Sequence, residues 1–99
     1  MDWTLEMTTV ADDLETRRRR AAYRAAHRGT KEMDWLVGRY AEAKLTTLVD
    51  PALAHFEAFL SEQDPLLQKW LLNGEPSEDS PYVALVAEIR SFHGLPAGV

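Results

Sequence analysis

The side chains with most chemistry to offer lie close together in this 99-residue chain: Arg24, His27, Arg28, Lys31, Glu32 and Asp34, with Gly29 among them. A guanidinium makes paired, charge-assisted bonds to a carboxylate or to carbonyl oxygens. A carboxylate three residues after a glycine accepts bonds at a new helix start and complements the positive end of its dipole. Such a set suits recognition of another macromolecule, and it also suits a well-capped turn, since charged residues beside a cap are common. It is poor material for catalysis. His27, His55 and His93 fall in separate segments with no ligand spacing, so no metal site is expected. No serine sits on an elbow motif, and no glycine-rich loop could cradle a phosphate. Gly29 alone cannot hold a pyrophosphate, so the chain is expected to have no stable FAD site of its own.

The elements that must position these residues are all helical. Asp12 or Asp13 can cap a first helix, whose small apolar residues Leu14, Ala21, Ala22, Ala25 and Ala26 allow close approach while arginines cover the rest. Gly29 stops it, because glycine enters the left-handed region without a Cβ clash. A second helix runs from about Thr30 to Leu45, with Met33, Leu36, Val37, Tyr40, Ala41, Lys44 and Leu45 on one face at steps of three and four, continuing to Leu48. Gly38 within it is expected to permit close packing. Trp35 falls off that face; it is either a second packing surface, the favoured reading, or an exposed aromatic that could anchor an interface. Asp50-Pro51 and Asp64-Pro65 read as cap-plus-proline starts of helices three and four, and Ser80-Pro81 opens a fifth. Their apolar faces are Leu53, Phe56, Phe59 and Leu60, then Leu66, Leu67, Trp70 and Leu71, then Tyr82, Leu85, Val86, Ile89 and Phe92. Nothing alternates with period two for long enough to make a strand. The expected fold is an all-α, small five-helix bundle over residues 12–93, with tails at 1–11 and 94–99.

Composition narrows the function classes. One domain with a thin core leaves no room for a deep cleft and a cofactor domain together. There is no cysteine, hence no disulfide framework or thiolate metal site. No apolar run approaches the ~18 residues of a membrane span. The start, Met1-Asp2-Trp3-Thr4, lacks a secretory signal pattern, and its acidic residues argue against a transit peptide, so a bacterial-type cytoplasmic protein is expected. The net charge is −5, yet Arg17, Arg18, Arg19, Arg20, Arg24 and Arg28 are clustered. A basic stripe invites a nucleic-acid reading. The overall charge, the lack of a helix-turn-helix and the nearby carboxylates speak against it; a solvated face, or a strip that docks an acidic protein surface, fits better.

The segment His27-Arg28-Gly29-Thr30-Lys31-Glu32-Met33-Asp34 resembles the Arg-Gly-x-x-Glu signature of the succinate dehydrogenase assembly factor 2 family. The basic run before it, the chain length and the helical pattern agree, over roughly Thr16 to His93. The resemblance implies an assembly factor or chaperone, not an enzyme. It would bind the flavoprotein subunit of succinate dehydrogenase or fumarate reductase and promote covalent attachment of the FAD held there. In that family the motif loop faces the client. Arg28, Gly29 and Glu32 are then the expected contact core, with His27, Lys31, Asp34 and Arg24 flanking and no role carried over to Thr30. The chain would act as a monomer, with no nucleic acid and no membrane. An adaptor or antitoxin-like protein-binding module, and a nucleic-acid regulator using the arginine helix, remain the alternatives.

Overall fold

The computed structural model describes the backbone of residues 2–74 and 79–95, and side chains from residue 14 onward within those ranges. The helices are α1 (Asp2–Ala26), α2 (Lys31–Lys44), α3 (Ala52–Leu60), α4 (Asp64–Asn73) and α5 (Val83–Phe92), and no strand occurs among the described residues. The all-α, five-helix expectation holds. α1 starts at Asp2, about ten residues ahead of the expected caps Asp12 and Asp13; no proline or glycine interrupts residues 2–26, so nothing local stops the helix there. Residues 75–78, between α4 and α5, and part of the expected 94–99 tail (96–99) lie outside the described residues, as do the side chains of Trp3, Asp12 and Asp13.

Helices α1 and α2 form the main packed pair, α3 packs against α1, and α5 lies against both α2 and α4. The pair is close because its contact residues are small. A Cβ built on Gly38 would stand 3.0 Å from the Cα of Ala26 and 3.3 Å from its Cβ, so only glycine fits there without a shift. Ala21 and Ala25 supply the α1 side of the contact and are buried. The core is filled from α2, α3, α4 and α5 by Met33, Val37, Leu53, Phe56, Phe59, Leu67, Leu71 and Ile89. Tyr40 adds an edge-on contact with Phe92 at 5.7 Å and donates its hydroxyl to Glu88. Burial pushes the Tyr40 phenol up from its ordinary value, and the Glu88 carboxylate adds to that.

Several expected core positions differ. Lys44 on the α2 stripe is exposed, while Leu66 and Phe92 are 41% and 42% exposed. Arg90 is buried instead, and its Nη1 donates to the Leu71 carbonyl at 2.5 Å. That carbonyl lies near the end of α4, where helical acceptors lack partners within their own helix. α5 closes with Gly94 at φ +73 and a bond from the Leu95 amide to the Arg90 carbonyl at 2.9 Å, which folds Leu95 back onto the core.

Candidate functional site

The corner between α1 and α2 is built from its own sequence. Thr30 is the α2 N-cap: its Oγ1 accepts from the Met33 amide at 3.2 Å. Asp34 reaches back and accepts from the Arg28 amide at 2.5 Å and the Gly29 amide at 3.3 Å. Gly29 has φ +117, a region that L side chains rarely adopt. A Cβ there would meet only Asp64 Oδ2 at 3.6 Å, so conformation rather than space demands the glycine. His27 stays exposed, stacks on Tyr23 at 4.0 Å, and places its Nδ1 2.8 Å from the Tyr23 carbonyl at the end of α1. Lys31 is exposed.

Arg28 turns inward across the gap to the corner between α3 and α4. Its Nε donates to Asp64 Oδ1 at 2.9 Å, its Nη1 to the Leu60 carbonyl at 2.5 Å, and its Nη2 to the Glu62 carbonyl at 3.0 Å. Nη2 also stands 2.8 Å from Asp64 Oδ1, and the Arg28 side chain is only 10% exposed. The guanidinium therefore staples two helix corners together and satisfies carbonyls at the end of α3 that the helix leaves without partners. Asp64, expected as the α4 cap, spends its carboxylate on Arg28; α4 begins at Asp64 itself, with Gln63 as its N-cap and no side-chain cap bond. Glu32, in the first turn of α2, is exposed, with no hydrogen bond or ion pair to any described residue. Arg28 and Glu32 thus have opposite roles: one holds the corner together, the other faces outward.

Part of the arginine helix is likewise tied into the fold. Arg17 bonds Asp50 at 2.8 Å and Glu57 at 2.7 Å, Arg18 Nε donates to the Leu48 carbonyl at 3.0 Å, and Arg24 donates to Ser61 Oγ at 3.1 Å. The Arg17 guanidinium bonded to Asp50 holds that carboxyl below its ordinary range. Arg19 makes a 3.3 Å pair with Glu15 on the exposed side. Arg17 and Arg18 thus tie α1 to α3 and the loop before it, while Arg19, Arg20 and Arg24 remain exposed along α1.

Trp35 does not pack on a second surface. It is 52% exposed and lies against the His93 ring, centroids 4.3 Å apart. His93 places Nε2 2.7 Å from the Leu36 carbonyl and so joins the end of α5 to α2. Sequence reasoning missed Asp34 as the loop anchor, Asp64 as the Arg28 partner and Thr30 as a cap. Thr30 was legible, being the threonine before the first apolar position of α2; the Arg28–Asp64 link joins residues 36 apart and has no local signal. Among the described residues no group of three or more His, Cys, Asp or Glu could hold a metal, and no helix is long and apolar enough to cross a membrane.

Fold and corner together define a small all-α scaffold with an internally stapled charged corner and one carboxylate turned outward. Residues 19–93 match the family model described as flavinator of succinate dehydrogenase, and the chain belongs to that family. It is 43% identical over 65 residues to a protein of Acetobacter pasteurianus called FAD assembly factor SdhE, covering 66% of this chain and 60% of that one. It is 33% identical over 65 residues to the FAD assembly factor SdhE of Coxiella burnetii, covering 66% of this chain and 79% of that protein. A mitochondrial succinate dehydrogenase assembly factor 2 from Penicillium rubens is 32% identical over 72 residues, which is 73% of this chain but 23% of the fungal protein. No solved structure matches.

Proposed function

We propose that this chain binds the flavoprotein subunit of succinate dehydrogenase, or of a fumarate reductase relative, and promotes covalent attachment of FAD to it. Family membership and the relatives' names support the reading. The single structural observation behind it is the division of labour at the corner, where Arg28 and Asp34 make a rigid platform and leave the Glu32 carboxylate exposed. The bond-making groups belong to the flavin and its host protein. This chain supplies geometry and charge: a partner cation pairs with Glu32, and Lys31 and His27 flank that contact. It acts as a non-enzymatic helper, on a flavin that the partner holds. The test mixes purified flavoprotein subunit and FAD with and without this chain, then reads flavin fluorescence in a denaturing gel. The reading expects the chain to raise the covalent band, and identical bands in its presence and absence would sink it.

A further inference from the structure

We infer that the open groove between α2 and the end of α5 seats an apolar side chain of that flavoprotein partner, beside a partner cation at Glu32 and a partner carboxylate at Arg39. The inference rests on the proposed function and extends its contact surface away from the motif. The groove has a volume of about 430 Å³ and is lined by Trp35, Arg39, Glu42, Ala43, Phe92 and His93. Trp35 is 52% and Phe92 42% exposed, and both stand against the same His93 ring, at 4.3 and 5.0 Å between centroids. Tyr23, Val49, Leu66, Leu72 and Val83, the other exposed large apolar residues, line no part of it.

The walls are fixed before any partner arrives. The carbonyl of Leu36 accepts at 2.7 Å, so His93 Nε2 must carry the proton, and the bond holds the ring upright between the two aromatic residues. Trp35 Nε1–H donates to no described residue, which leaves the indole a polar handle for an incoming carbonyl. Charge and register then choose the occupant. Glu32, Trp35 and Arg39 stand at i, i+3 and i+7 on α2 and so share one outward face that runs directly from the corner. Both charged residues are exposed and unpaired among the described residues. The complementary segment reads basic, apolar, acidic along its length. A half-exposed tryptophan in an open groove rimmed by charge has the makeup of an interface anchor.

The test is equilibrium binding of FAD-loaded flavoprotein subunit to wild type, Trp35→Ala, Phe92→Ala, Arg39→Glu, Glu32→Ala and the distant α4 control Leu72→Ala. Circular dichroism checks that each variant is folded, and Arg39→Glu changes an exposed side chain that no core contact needs. Trp35→Ala and Arg39→Glu are each expected to weaken binding about 10- to 100-fold, with Phe92→Ala weaker than wild type and Leu72→Ala unchanged. Wild-type affinity in folded Trp35→Ala and Arg39→Glu, alongside a loss in Glu32→Ala, overturns the groove and leaves the proposed function standing. Absence of binding by wild type overturns both.

Discussion

Arg28→Ala and Glu32→Ala should separate stability from function, although the two residues belong to one five-residue motif. Truncating Arg28 removes a largely buried guanidinium and leaves the Leu60 and Glu62 carbonyls and the Asp64 carboxylate without their donor. Breaking a buried charge pair costs about 3–5 kcal/mol. Asp64 is 34% exposed and water can rehydrate it, which lowers the expected loss to about 2–4 kcal/mol. For a domain of this size that is a fall of roughly 10–25 °C in melting temperature, a large share of a total stability of about 5–15 kcal/mol. Arg28→Lys keeps one point charge but not the fork, and should fall between wild type and Arg28→Ala. Glu32→Ala touches no described partner and should stay within about 0.5 kcal/mol of wild type. The assay is thermal and urea unfolding followed by far-ultraviolet circular dichroism. An Arg28→Ala protein that melts with wild type would refute the staple, and would return Arg28 to the outward role implied by the motif.

Other perturbations follow from the same contacts. Gly38→Ala gains about 1 kcal/mol of helix propensity but drives a methyl to 3.0 Å from the Ala26 backbone, so a net loss of about 1–2 kcal/mol is expected in urea unfolding. Gly29→Ala is strained by φ +117 and should cost about 1–2 kcal/mol by the same measurement. Asp34→Ala frees the Arg28 and Gly29 amides and should cost about 1 kcal/mol, seen also as faster hydrogen exchange of those two amides. Asp50 is held below its ordinary range by Arg17, so its contribution is present above the unfolded value near pH 4 and is lost as pH falls through the folded value. The melting gap between wild type and Asp50→Asn should therefore be steady at neutral pH and close under acid.

The helices were legible where a stripe and a breaker agreed. Val37, Tyr40 and Ala41 sit at the steps that predict a buried α2 face, and Gly29 and Gly74 stop helices with positive φ as their position implies. Errors arose where tertiary contacts reassigned a residue. Asp64 looked like a cap because it precedes a proline, and Arg28 lay 36 positions away with no pattern to join them. Arg90 carried no signal of burial in the sequence; it lies inside because its guanidinium meets the Leu71 carbonyl near the end of α4. Trp35 and Phe92 show the reverse, apolar residues left outside because the stripe beside them already fills the core. The motif was visible as a set of residues; which members build the corner and which face outward required the fold.

The most direct test of that division is the covalent-flavin band produced from flavoprotein subunit and FAD with wild type or with Glu32→Ala, both verified as fully folded at the assay temperature. The account expects Glu32→Ala to melt like wild type and yet to give little more covalent flavin than the flavoprotein alone. A Glu32→Ala protein that labels the flavoprotein as fast as wild type would contradict it.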